Sequence, residues 1–225
     1  MKTPFYSFLY LGMCTLFFYF TLRFKNLYLS SKSVLAIYFR NIAFFSSIAF
    51  LIYALMGIFS NNPFWLGIGN IIGELFFLIA FIYLIASFFY LFYPNVNRKN
   101  IIFFGFILVA ISVLIHIYFF PRPFIDSKGI LHFQAPLVPG LIFVFFSFCA
   151  LGPMIILFLK EAILNKKIRK RSLFIALSLF LFLSRSVFQS LFESNFPLYV
   201  TSFILQMLGA FSLLFGFIIK IKEEK

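Results

Sequence analysis

Charged side chains are scarce in this chain. Asp, Glu, Lys and Arg make up 11% of its 225 residues, 63% are hydrophobic, and mean hydropathy is +1.06. A soluble domain needs a polar outer shell, so this balance excludes one. Cysteine is nearly missing as well. Cys14 and Cys149 both fall inside apolar runs without Cys-x-x-Cys spacing, and they read as small buried hydrophobes, not as a disulfide or redox pair. Of the two histidines, His116 and His132, the second lies in a loop, so haem held between two helix-borne histidines is not expected. No His/Cys/acid cluster has zinc spacing. Gly67-x-Gly69 with Gly73 does not match the dinucleotide fingerprint and follows no strand, and no Gly-x-Ser-x-Gly elbow occurs. The last apolar run has no lysine midway, since Lys220 stands at its end, which counts against retinal binding. No catalytic residue, metal or cofactor is expected, and nothing supports an enzyme.

What the chain does have is long apolar runs. Seven can be read, at about 4–22, 42–60, 71–93, 101–120, 137–159, 173–191 and 201–221. Each carries few or no charges over enough residues to cross ~30 Å of hydrocarbon at 1.5 Å per residue. The second has room to begin near Ser33, with Arg40 snorkelling to the headgroups. Breaks fall at Asn61-Asn62-Pro63, Pro94-Asn95, Pro121-Arg122-Pro123 and Asn195-Phe196-Pro197, ordinary helix stops at an interface. The length leaves nothing for a soluble domain, so the expectation is one all-α transmembrane bundle over 1–225. Forty phenylalanines are a diffuse background, as an AT-rich genome would produce, and carry no functional weight.

The basic residues set an expected orientation. Arg23, Lys25, Lys32 and Arg40 follow run one, and Arg98 and Lys99 follow run three. Lys160, Lys166, Lys167, Arg169, Lys170 and Arg171 surround the loop between runs five and six, and Lys220, Lys222 and Lys225 lie at the C-terminal end. Together these are fifteen of nineteen Lys and Arg, whereas the alternate loops hold only Lys2, Arg122 and Lys128. Such a bias places the odd-numbered loops and the C-terminus in the cytoplasm and the N-terminus outside. The net charge of +13 is then explained by topology and anionic lipid, without nucleic acid. The first run lacks a small-residue cleavage site and is followed by a basic stop-transfer cluster, so cleavage as a signal peptide is not expected.

Polar groups inside the runs are costly and therefore informative. With that orientation Glu74 lies ~5 Å below the outer surface, His116 ~6 Å, Gln206 ~8 Å and Arg185 ~9 Å, with Gln189 nearby. The candidate ligand-binding set is therefore Glu74, His116, Arg185, Gln189 and Gln206. A buried guanidinium needs an acceptor. Glu74 is the expected partner of Arg185, with Glu193 as competitor. Against a pocket stands the simpler reading of snorkelling side chains and interhelical glue.

The longest outer loop, 121–136, has apolar arms around Asp126-Ser127-Lys128-Gly129 and resembles a small β-hairpin, either a lid or a plain interfacial loop. Pro153 after Gly152 is expected to kink run five, as a hinge or an ordinary membrane kink. Gly69 with Gly73, and Gly209, Ala210, Ser212 and Gly216, suit close helix packing.

By span count and orientation the chain resembles the seven-helix bacterial membrane sensor domains that precede histidine kinases. The resemblance implies a bacterial inner membrane, an outward or intramembrane ligand, and a cytoplasmic output. The chain ends at Lys222-Glu223-Glu224-Lys225, so that output would be a separate partner docking on the loop from Lys166 to Arg171. Two alternatives stand beside it. One is a small-solute transporter or channel component, for which a three-plus-one-plus-three arrangement fits but no repeat between halves is found. The other is a structural or assembly subunit, which predicts an outward-facing stripe of small or polar residues.

Overall fold

The computed structural model describes residues 5–59, 62–93, 95–125, 131–132, 136–191 and 196–218. Among these it has seven α-helices: α1 (Phe5–Ser31), α2 (Val34–Phe59), α3 (Pro63–Phe92), α4 (Arg98–Tyr118), α5 (Leu137–Leu164), α6 (Arg169–Leu191) and α7 (Phe196–Ile218). Two-residue strands β1 (Phe124–Ile125) and β2 (Leu131–His132) lie between α4 and α5. Helices α1 to α6 are long and apolar enough to cross a membrane, and α7 contains the shorter apolar stretch Ile204–Gly216. The chain is an all-α, multi-pass integral membrane protein.

Most helices overrun the apolar cores legible in the sequence. α1 continues nine residues past Leu22, and α3 begins at Pro63, eight residues before Ile71. In membrane helices every turn closes its own backbone hydrogen bonds, so a helix stops where capping stops it and not where hydrophobicity ends. Lys32 ends α1 in the left-handed region (φ 53) while its N–H bonds Tyr28 O at 2.8 Å. Asn62 caps α3 by accepting from Phe64 N at 2.9 Å, with Pro63 at the first helical position. Asn97 caps α4 by accepting from Lys99 N at 3.0 Å. Arg40, expected to snorkel, is half-buried and donates to Asn41 Oδ1 from Nε and Nη2 at 3.2 and 2.9 Å.

The chain divides into two compact units, Met1–Ile142 and Phe143–Lys225. In the first, α1 packs on α2, α2 on α3 and α3 on α4, as short connections between successive helices favour. Its core is aromatic. Tyr10 lies 5.4 Å from Tyr53 and 6.0 Å from Phe50 between ring centroids, and Phe77 meets Phe50 edge-on at 4.9 Å. Ser47 Oγ donates to Cys14 O at 3.1 Å, clipping α2 to α1. Gly73 and Gly69 let α3 approach α2, since a Cβ on Gly73 would meet Tyr53 at 2.6 Å and one on Gly69 would meet Met56 at 3.0 Å. At the α3–α4 turn the Arg98 guanidinium stacks 4.5 Å from the Tyr90 ring centroid. β1 and β2 pair antiparallel, Phe124 with His132 and Ile125 with Leu131. The expected turn at 126–129 lies outside the described residues.

In the second unit α6 packs on α7. α5 stays helical through Pro153, which leaves the Cys149 carbonyl without its i+4 donor. The α5–α6 turn carries exposed Lys166, Lys167, Arg169 and Lys170, and Asn165 Oδ1 accepts from Lys167 N at 3.1 Å.

Candidate functional site

Glu74 and His116 meet. The His116 Nε2 and Glu74 Oε2 form an ion pair between α3 and α4. Both are placed by the turn that joins their helices. Glu74 stands eighteen residues before Phe92 and His116 eighteen residues after Arg98, so two antiparallel helices rising 1.5 Å per residue bring them level about 27 Å from the turn. His116 is 3% exposed, and only 14% of the Glu74 side chain is exposed.

The hydrogen bonds around the pair restrict its protons. His116 Nδ1 lies 2.8 Å from Ser112 O, a carbonyl that only accepts, so Nδ1 carries a hydrogen. Nε2 faces the carboxylate, and an imidazolium opposite a carboxylate is a pair without net charge. Asn70, 1% exposed, donates from Nδ2 to Glu74 Oε1 at 3.2 Å. This third member sits one turn before Glu74 on the same face. Its signal was present in the sequence as Asn-x-x-x-Glu at the start of an apolar run.

The ends of α3 and α4 near the pair are tightly closed. A Cβ on Gly67 would come within 2.5 Å of Phe120 Cε1 and 2.6 Å of the Pro121 carbonyl oxygen. Pro121, Pro123 and Leu66 are fully buried there. The segment leading into β1 thus lies directly against the first turns of α3.

Arg185, Gln189 and Gln206 belong to the second unit, so the expected Arg185–Glu74 pairing joins residues of different units. Within the first unit the partner of Glu74 is His116. In the second, two glycines fix the register of α6 and α7. A Cβ on Gly209 would meet Phe182 at 3.2 Å, and one on Gly216 would meet Ile175 at 2.9 Å. Seven residues separate each pair, so the helices run antiparallel in constant register. Three residues further along the same faces Gln206 comes level with Arg185, and seven further Ser202 comes level with Gln189. Arg185 (7% exposed), Gln206 (3%), Ser202 and Ser186 are buried, and Gln189 is half-buried.

Among the described residues the charge in this seam is not balanced. No described carboxylate pairs with Arg185, and the expected competitor Glu193 lies outside the described residues. Gln206 Oε1 is buried without a hydrogen-bond partner, whereas Ser186 Oγ is satisfied by Phe182 O at 3.0 Å. Three of the five candidate residues therefore line one helix–helix interface, and the other two form one ion pair. Asn70 and Ser202 are the additions that the structure makes.

Among the described residues no group of three or more His, Cys, Asp or Glu is arranged to hold a metal ion. No family model, no curated protein and no solved structure matches this chain.

Proposed function

We propose that this protein is a membrane receptor of the seven-helix sensor type. In this reading the N-terminus faces out, the C-terminus lies in the cytoplasm, and all seven helices cross a bacterial inner membrane. It recognises a small ligand through polar groups at the outer ends of its helices. Occupancy is passed to a separate cytoplasmic partner at the exposed basic turn from Lys166 to Arg171.

The observation that carries this reading is the depth of the Glu74–His116 pair. The turn below it bears Arg98 and Lys99, which the positive-inside rule assigns to the cytoplasm. A pair 27 Å above that turn sits at the outer edge of ~30 Å of hydrocarbon. Ionisable groups buried in membrane helices mark functional positions. Towards the turn, the buried polar residue of α3 is Ser87, whose hydroxyl is satisfied by Leu84 O at 2.7 Å. A transporter needs a polar route through both leaflets; a receptor needs only the outer part. The assembly-subunit reading loses ground on α4. Its outward face carries Phe103, Phe104, Leu108, Leu114 and Ile117, all exposed and all large, a surface suited to lipid tails and not to a close-packed helix.

A cysteine scan along α3 and α4, with Cys14 and Cys149 replaced by Ser, tests the reading. Intact cells are treated with a membrane-impermeant thiol reagent. Labelling that stops at the level of Glu74 and His116 is the expected result. Labelling that continues down to the Arg98 turn would replace the receptor with a transporter.

A further inference from the structure

We infer that the α6–α7 seam is a binding site for a small oxyanion, a carboxylate or a phosphate group, held by Arg185 with Gln206 beside it. This deepens the receptor reading and rests on it only for the side of the membrane from which the anion arrives. Arg185 is more than nine-tenths buried, and no described carboxylate neutralises it. A buried guanidinium left unpaired costs several kcal/mol even in a soluble protein, and membrane surroundings do not reduce that.

Among the described residues no carboxylate meets this demand. The register of Gly209 on Phe182 and Gly216 on Ile175 puts Gln206 opposite Arg185. Its Oε1 is buried and without a partner, so an Arg185–Gln206 hydrogen bond is not formed. Were it formed, Oε1 has two lone pairs and the guanidinium has five N–H donors, so most donors would remain. A neutral amide also leaves the charge uncompensated. The group that satisfies both is planar and anionic: two oxygens for the guanidinium fork, and a hydroxyl or N–H beside them for Gln206 Oε1. Gln189 and Ser202, level with each other one turn further along the seam, extend the polar lining toward the end of α6.

The same chemistry is offered by a free small anion and by a lipid headgroup phosphate. Full-length protein in nanodiscs of zwitterionic lipid alone is unfolded thermally, followed by far-ultraviolet circular dichroism. Acetate and inorganic phosphate are each titrated against chloride at constant ionic strength. A ligand that binds only the folded state raises the midpoint as its concentration passes Kd. The expected result is a saturable rise in wild type, with the apparent Kd weakened at least about tenfold in Arg185→Gln, the loss of one charge-assisted contact. In nanodiscs containing phosphatidylglycerol, a raised midpoint without added anion, lost in Arg185→Gln, identifies the headgroup as the source.

Gln206→Glu keeps the test decisive if Arg185→Gln does not fold. It places a carboxylate opposite the guanidinium and is expected to raise the midpoint without anion and to abolish the response to added anion. The inference is overturned if no anion or anionic lipid shifts the wild type, or if Gln206→Glu responds as wild type does. It is also overturned if Glu193→Gln creates a response that wild type lacks, since Glu193 is then the resident anion. These outcomes are separable from the cysteine scan. Labelling through to the cytoplasmic turn removes the receptor while an anion response stands, and a silent anion titration leaves the receptor standing with another ligand.

Discussion

His116 and Glu74 hold one another in place at a cost that appears only when one is removed. His116→Ala leaves a buried carboxylate with Asn70 alone, and Glu74→Ala leaves a buried imidazole with the Ser112 carbonyl. Each single variant is expected to lose about 3–5 kcal/mol of stability. Ala at both positions together should lose less than the two single losses added, with a coupling of about 0.5–3 kcal/mol read from a thermodynamic cycle in detergent. Strictly additive losses would mean that the pair is not formed. At this scale the sequence was informative about depth and silent about partners. Glu74 and His116 were both recognisable as costly groups at similar depth in their runs, and counting eighteen residues each way from the Phe92–Arg98 turn brings them level. His116 was missed as the partner of Glu74 because a guanidinium makes the louder demand for a carboxylate, and sequence does not say which helices share a face.

At the level of elements, α3 carries the most specific geometry. Gly67 abuts backbone as well as a ring, because a Cβ there would meet the Pro121 carbonyl oxygen at 2.6 Å, whereas Gly69 faces the Cβ and Sδ of Met56, both at 3.0 Å. Gly67→Ala is therefore expected to destabilise the protein by about 1–3 kcal/mol, and Gly69→Ala, whose closest contacts are looser, by less. Thermal midpoints of the two purified variants check this ordering. Existence and order of the helices were legible, since apolar runs of this length have no other use. Their ends were not. The eight residues of α3 before Ile71 include Trp65 and Gly67, too mixed to count as an apolar core, yet Asn62 and Pro63 start the helix there. The small-residue pair Gly69 and Gly73 correctly signalled close packing, and the structure adds that α2 is the neighbour.

For the molecule as a whole, the expected orientation comes from fifteen basic residues on one side against three on the other. A green fluorescent protein fused after Lys225 is expected to fluoresce, and a periplasmic phosphatase fused at the same point to be inactive. The opposite pattern would invert the topology and with it the receptor reading. Membrane class could be read from composition alone. The division into two units, after Ile142, could not, because apolar residues that face lipid and those that face another helix are the same residues.

The level meeting of Glu74 and His116 also bears on how the chain is made. Synthesis delivers α3 first, with a carboxylate that is costly to carry unpaired on a membrane helix. Its neutralising imidazole emerges only when nearly all of α4 has followed. The turn at Phe92–Arg98 is short and α4 is strongly apolar, so the two helices are expected to enter the lipid together as a hairpin. Biogenesis therefore has a point of commitment at the end of α4: a nascent chain truncated before His116 holds α3 less firmly in the bilayer than one truncated just after it.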